Sequence, residues 1–168
     1  MKNEKFHNQI TYEIKDLFFI EQVFIWGLRM NIRGREYFAK VAAHCEKNLS
    51  PSAARIALSA IDMVITAVRN HGKRSLKLNC TCMARLSSDE WLLITLFRKA
   101  NEEPMQTTLP CANNIITEEG NEALVYAMVS FQMAMQTIDS PYPKALNADA
   151  APQETEHYFP RPASTMIH

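Results

Sequence analysis

Apolar residues recur at helical spacing along most of this chain. The first stretch, from about Gln9 to Asn31, follows the i, i+3, i+4, i+7 pattern of a buried helix, with Glu21 as the exception. Gly27 lies inside this stretch and is expected to permit a close crossing with another helix. Gly34 should end or bend the helix, and a shorter second helix is predicted to about Lys47.

Two later helices have clear start signals. Ser50 suits the N-cap position and Pro51 the first helical position, so a third helix is predicted from there to Gly72. Ser87 and Glu90 have the spacing of a capping box, in which each side chain accepts a bond from the other residue's backbone N–H. This pair predicts the start of a fourth helix.

The remaining pattern completes the predicted fold. The alternation in Ser75–Asn79 favours a short extended segment, and the prolines in Glu102–Ile116 favour a loop or a single turn. A last helix is predicted from about Thr117. We therefore expect an all-α, single-domain bundle of about five helices over residues 1–139. A flexible, proline-containing C-terminal tail should follow over residues 140–168.

Charge is balanced overall but not along the chain. Lys plus Arg and Asp plus Glu number 18 each, yet the span from Arg29 to Arg85 holds eleven basic residues and three acidic ones. Several of these basic residues cluster around the end of the third helix. The predicted basic patch consists of Arg69, Lys73, Arg74, Lys77 and Arg85. Such a patch either binds an anionic partner or neutralises the acidic ends of the chain.

The pattern at the N-terminus bears on location. Residues from Met1 to Gln9 are polar and lack the apolar core of a signal peptide, and the apolar run Leu17–Leu28 is too short to cross a bilayer. We therefore expect a cytoplasmic protein of bacterial type without a membrane partner. In that compartment cysteines are free thiols, packing residues or metal ligands more often than disulfides.

Four residues are candidate metal ligands: Cys80, Cys82, His71 and Cys45. Thiolate and imidazole are the ligands that Zn²⁺ prefers, so zinc is the cofactor that these residues would hold. In an extended segment, Cys80 and Cys82 would face the same side. Against zinc, structural sites usually pair two motifs with two to four residues between ligands, and this chain has one pair with a single intervening residue.

The same cysteine pair also fits thiol-redox chemistry. A Cys-x-Cys disulfide closes a short, strained loop, and strained disulfides are the more easily reduced ones. Lys77 and Arg85 are close enough in sequence to lower the pKa of a neighbouring thiol. The simpler alternative is that both cysteines fill space where the loop enters the core.

These patterns favour binding over catalysis. The chain has no nucleophile elbow, phosphate loop or dinucleotide fingerprint. We expect a small helical adaptor or regulatory protein that acts through protein–protein contacts with a partner or with a second copy, and Met133 falls off its helix's apolar stripe. The rival is a metal-binding or thiol-redox protein centred on Cys80 and Cys82. Glu21, on an otherwise apolar helix, is the candidate buried carboxylate and is expected to pair with Arg29, Arg33 or Asp62. An enzyme using Glu21, His44 or His71 ranks third.

Overall fold

The computed structural model describes residues 12–137. This range forms six α-helices, which are α1 (Phe19–Arg33), α2 (Arg35–Asn48), α3 (Pro51–His71), α4 (Ser88–Glu102), α5 (Met105–Ala112) and α6 (Glu118–Met135). A 3₁₀ turn (Ile14–Asp16) precedes α1, and no β-strand occurs between residues 12 and 137. The predicted all-α class is therefore confirmed, with six helices rather than about five in that range. The predicted tail, residues 140–168, lies outside the described residues.

The predicted helix boundaries at Gly34, Ser50 and Ser87 are confirmed. Gly34 separates α1 from α2 with a φ of 116°, a backbone angle that glycine adopts without strain. Ser50 Oγ accepts a bond from the backbone N–H of Ala53 at the start of α3. Ser87 and Glu90 form the predicted capping box of α4. Local side-chain chemistry thus sets the starts of two long helices.

Helices α3 and α6 make the most extensive helix pair in the bundle. The N–H of Thr117 donates to the carbonyl of His71, which places the start of α6 beside the end of α3. The two helices therefore run antiparallel. The buried face of α3 consists of Ala53, Ala54, Ala57, Ala60, Ile61, Val64 and Ala67. Because most of these side chains are small, neighbouring helices can approach α3 closely.

Helix α1 crosses α3 at Gly27, as its position in an apolar helix predicted. A Cβ atom added at Gly27 would overlap Cδ1 of Ile61, so only glycine fits this crossing without a shift of Ile61. On the other side of α1, Phe24 stacks on Phe97 of α4 with ring centroids 4.7 Å apart and meets Phe131 of α6 at 5.3 Å. These contacts join α1, α4 and α6 in one core.

One predicted helix boundary is wrong, and one helix was not predicted. The first helix begins at Phe19 rather than near Gln9, because the backbones of Tyr12 and Ile14 bond to the loop before α4 and Ile14–Asp16 forms a 3₁₀ turn. The segment Glu102–Ile116 contains the helix α5, which sequence periodicity did not indicate. Its buried side chains are Thr108 and Ala112, so contacts with the rest of the bundle stabilise this short helix despite Pro110.

Helix α3 is also long and apolar enough to cross a membrane, and it is the single such helix among residues 12–137. Length and composition are the basis of this finding. The core helix of a bundle meets the same test. In this fold, seven α3 side chains are buried against the other helices.

Candidate functional site

A buried ion pair organises the connection between α3 and α4. Arg29 on α1 and Glu90 on α4 have side chains that are 1% and 0% exposed, and they bond through both carboxylate oxygens at 2.6 and 2.9 Å. The other three N–H groups of Arg29 donate to the carbonyl oxygens of Cys80, Met83 and Arg85. All five donors of the guanidinium are therefore used.

The carboxylate of Glu90 also has several hydrogen-bond partners. Besides Arg29, its carboxylate accepts bonds from the backbone N–H groups of Asn79 and Ser87. Such additional bonds offset the free-energy cost of removing both charges from water. The pair therefore fixes the path of the chain on both sides of Cys80. We call this arrangement the Arg29–Glu90 clamp.

Asp89 holds the preceding part of the same connection. Its carboxylate bonds to both Nη atoms of Arg74 and to the backbone N–H of Lys77. Chiefly because of the Arg74 bond, the pKa of Asp89 lies below its usual value. The N–H groups of Lys77 and Asn79 thus bond to carboxylates of α4. The extended segment predicted at Ser75–Asn79 forms no regular strand within the described residues.

The N-terminal segment covers the other side of the connection. The N–H of Ile14 donates to the carbonyl of Ala84, and the N–H of Leu86 donates to the carbonyl of Tyr12. The Tyr12 ring stacks on Trp91 of α4 with centroids 3.6 Å apart and an interplanar angle of 6°. The loop is therefore held from α1, from α4 and from the chain that precedes α1.

The clamped loop presents two thiols at its tip. The N–H of Met83 bonds to the carbonyl of Cys80, which closes a tight turn over residues 80–83. We call this segment the thiol turn. Cys80 and Cys82 are both exposed free thiols, and Cys82 Sγ donates a hydrogen bond to Cys80 Sγ at 2.8 Å. The two sulfurs share one side, as expected from their spacing, but on a turn rather than on an extended segment.

The two thiols differ in acidity. Bonds from the Cys82 thiol and from the Cys82 backbone N–H, together with the positive charge of Arg33, lower the pKa of Cys80. The bond to Cys80 raises the pKa of Cys82. Arg33 ends α1, and its Nη1 donates to Thr81 Oγ1 between the two cysteines at 2.7 Å. The turn therefore favours a thiolate at Cys80 and a proton at Cys82.

The other predicted metal ligands lie elsewhere. Cys45 is buried in the last turn of α2, and His71 is the last residue of α3, where it packs against Gly120 of α6. Among residues 12–137, no group of three His, Cys, Asp or Glu side chains is placed to hold a metal ion. Of the four predicted ligands, the thiol turn brings two together. A zinc site therefore stays a prediction.

The remaining cysteines have different surroundings. Burial, with a smaller effect of Glu46, raises the pKa of Cys45 to about 11. Cys111 on α5 is half-buried, and Lys99 Nζ approaches its sulfur to 3.4 Å. Neither residue has a neighbouring cysteine with which its sulfur bonds in the described range.

The predicted basic patch spans the last turn of α3 and the connection that follows it. Arg74 pairs with Asp89, and Lys73 Nζ donates to the carbonyl of Asn113, the C-cap residue of α5. Arg69, Lys77 and Arg85 are exposed. Within residues 12–137, Arg74 is the one member of the patch in an ion pair. Binding of an anionic partner at this patch stays a prediction.

Glu21 is buried, as its place on an apolar helix indicated, but its expected partners were wrong. It pairs with Arg98 of α4 at 2.6 and 2.9 Å rather than with Arg29, Arg33 or Asp62. It also accepts a bond from the N–H of Phe18 at the start of α1. These bonds give Glu21 a structural role between α1 and α4.

Sequence reasoning missed the residues that support the thiol turn. Arg29 lies between Leu28 and Met30 on a strongly apolar helix, and an arginine in that position signals a buried partner. The role of Glu90 as N3 of a capping box was recognised, but its second role was not. Comparisons of the chain with protein-family models, with curated proteins and with solved structures find no match.

Proposed function

We propose that this protein is a thiol–disulfide oxidoreductase that works through Cys80 and Cys82. The observation that carries the proposal is the hydrogen bond between their sulfur atoms at the exposed tip of the thiol turn. A pair of neighbouring thiols with unequal acidity is the arrangement that thiol–disulfide exchange requires. The loop chemistry thus favours this function over the adaptor role expected from the sequence.

The chemistry assigns a different role to each cysteine. The Cys80 thiolate attacks one sulfur of a substrate disulfide, so that a mixed disulfide forms and the other substrate sulfur leaves as a thiolate. Cys82 then loses its proton and attacks Cys80 Sγ, which releases the second substrate thiolate. The substrate gains two electrons and, with two protons, becomes two thiols, while Cys80 and Cys82 become a disulfide.

The clamp supports this division of roles. Arg29 holds the carbonyl groups of Cys80 and Met83, and these two residues are the ends of the thiol turn. Lowering the pKa of Cys80 raises the thiolate fraction at neutral pH, and exposure admits a substrate. We therefore expect Cys80 to react faster in the folded protein than the same sequence does in a peptide.

The test follows disulfide exchange in the full chain. The protein is incubated with hydroxyethyl disulfide, and the products are mapped by mass spectrometry after acid quenching. We expect a Cys80–Cys82 disulfide in the native sequence, a trapped mixed disulfide on Cys80 in Cys82→Ser, and neither product in Cys80→Ser. Cys111→Ser is the matched control and should leave the reaction unchanged. Equal alkylation rates for Cys80 in the folded protein and in a peptide of residues 76–86 would overturn the proposal.

Zinc binding at the same pair is the competing proposal. Two thiolates would supply half of a tetrahedral site, and the other ligands would come from a partner or from water. Elemental analysis of protein purified without chelator or metal resin distinguishes zinc binding from thiol–disulfide exchange. One zinc ion per chain, lost in the Cys80→Ser/Cys82→Ser variant, would favour zinc binding. Metal-free protein with active thiols would favour exchange.

Self-association is a second candidate function, favoured by the outer face of α6. Tyr126 and Met133 are 61% and 63% exposed and lie two helical turns apart. Exposed apolar side chains on one face are typical of binding surfaces, and symmetric dimers are the commonest assembly. Native mass measurement should give a dimer that Tyr126→Ala/Met133→Ala weakens and that Met63→Ala on α3 does not. A concentration-independent monomer would exclude this candidate.

A further inference from the structure

The charge beside the thiol turn indicates which disulfides it accepts. Arg33 is exposed, and after the bonds from Cys82 its positive charge is a further cause of the lowered pKa of Cys80. None of the ion pairs formed within residues 12–137 includes Arg33. Its charge is therefore available to a group that approaches the thiols.

The guanidinium of Arg33 is held in a fixed place. It lies over the ring of Tyr37 on α2, 4.1 Å from the centroid, and Nη1 donates to Thr81 Oγ1. Of its five N–H groups, one donates to a partner in the described part of the chain. A stacked guanidinium with free donors is suited to binding a carboxylate through two hydrogen bonds.

A second cation lies beside the same ring. Lys40 Nζ, one helical turn after Tyr37, is 5.7 Å from the ring centroid. Lys40 is exposed, as is Arg35 at the start of α2. The exposed carboxylate of the same helix turn is Glu36, and Asp62 on α3 accepts from Asn31 near the end of α1. Cations therefore outnumber carboxylates around the Arg33 end of the turn.

We infer that the thiol turn acts on disulfides that carry a carboxylate close to the attacked sulfur, and that Arg33 binds this carboxylate. This inference rests on the proposed exchange function. Arg33 acts as a specificity-determining residue, because its charge attracts one class of substrate as well as the Cys80 thiolate. Disulfides flanked by ammonium groups meet repulsion at the same place.

The test compares three small disulfides of similar size: dithiodipropionate, which is anionic, hydroxyethyl disulfide, which is neutral, and cystamine, which is cationic. Each rate constant for attack by the full chain is divided by the rate constant of the same probe with mercaptoethanol. We expect this normalised rate constant to be largest for the anionic probe, intermediate for the neutral probe and smallest for the cationic probe. Arg33→Gln should lower the anionic-to-neutral ratio about five-fold at low ionic strength, as expected for one charge pair near 4 Å in water.

The controls separate specificity from reactivity. Arg33→Lys should keep most of the preference, and Arg55→Gln, which removes an exposed arginine from α3, should keep all of it. High salt should reduce the preference. An equal fall with all three probes in Arg33→Gln would overturn the inference but leave the exchange function standing. Failure of every probe to form the Cys80–Cys82 disulfide in the native sequence would overturn both.

A further experiment tests whether the substrate disulfide belongs to a protein segment or to a small molecule. Peptide disulfides with Glu or with Lys beside the cysteine are compared under the same conditions. A preference for Glu that exceeds the preference among small probes indicates an acidic protein segment as substrate. An equal or smaller preference indicates a small carboxylated disulfide. Absence of any preference in both series contradicts the inference.

Discussion

Arg29 and Glu90 are 61 positions apart in the chain, and each satisfies the buried charge of the other. Glu90 is at the same time the N3 residue of the α4 capping box, bonded to the N–H of Ser87. One carboxylate therefore starts a helix and, through Arg29, fixes the carbonyl groups around the thiol turn. Helix initiation and loop geometry are coupled at this residue.

Breaking this pair should be costly. Arg29→Met leaves Glu90 buried without its cation, and we expect a loss of about 3–5 kcal/mol in the free energy of unfolding. Urea denaturation, followed by circular dichroism, measures this loss. The double variant Arg29→Met/Glu90→Leu should lose clearly less than the two single changes together, because no unpaired charge is left. Additive losses would contradict the coupling.

The contribution of the α3 N-cap to the free energy of unfolding should be measurable by itself. Ser50→Ala removes the acceptor of the Ala53 N–H bond and should cost about 1 kcal/mol of unfolding free energy. Ser59→Ala is the control, since Ser59 is exposed within the same helix and alanine has the higher helix propensity. Ser59→Ala should be neutral or slightly stabilising. Equal losses in both variants would rule out a capping role for Ser50.

The close crossing of α1 and α3 predicts that the effect of Gly27→Ala on stability changes sign when Ile61 is shortened. Gly27→Ala should destabilise the native sequence by about 1–2 kcal/mol, because its Cβ meets Cδ1 of Ile61 in a packed core. Ile61→Val removes that atom. In this background Gly27→Ala should instead gain up to about 1 kcal/mol from helix propensity. The same loss in both backgrounds would show that the overlap with Ile61 is not the cause.

The Asp89–Arg74 pair should make stability depend on acid pH. Arg74 holds the folded pKa of Asp89 below its unfolded value, so the unfolded chain binds the proton more tightly. The stabilisation is full above about pH 4 and is lost as pH falls through the folded pKa. Urea denaturation from pH 2 to pH 7 should show the native sequence and Asp89→Asn converging at the acid end. A constant difference between them across this range would refute the assignment.

The four thiols should react in a defined order. Burial raises the pKa of Cys45 to about 11, whereas the pKa of Cys80 is lowered in the thiol turn. Iodoacetamide at pH 7.5 should therefore modify Cys80 first and should reach Cys45 only when the protein unfolds. Mass spectrometry of timed samples gives the order, and the same reaction in 8 M urea is the reference. Early modification of Cys45 in the folded protein would contradict its placement.

The sequence predicted the features of this fold that arise locally. Ser50, Pro51 and Ser87 act on backbone atoms within a turn of themselves, so their roles can be recognised without the tertiary structure. Helix α5 was missed because its short length and Pro110 give no clear pattern, and buried contacts stabilise it.

The candidate site was predicted only in part, because its local features can be recognised in the sequence and its long-range contacts cannot. The spacing of Cys80 and Cys82 identifies the pair, but their clamp requires Arg29 and Glu90 from distant helices. The partner of Glu21 was equally inaccessible, since Arg98 lies 77 positions away. Such pairings depend on which helices become neighbours, and periodicity within one helix does not determine this.

The long separation between Arg29 and Glu90 also bears on the timing of folding. Helices α1, α2 and α3 lie consecutively in the chain and contact one another, whereas the clamp cannot close until α4 has docked against α1. Closing so long a loop carries an entropic cost that short-range contacts avoid. A chain with its first three helices formed would still carry ordinary cysteine thiols. Enhanced reactivity of Cys80 would then appear only on completion of the fold, and it would serve as an internal signal that α4 has reached its place.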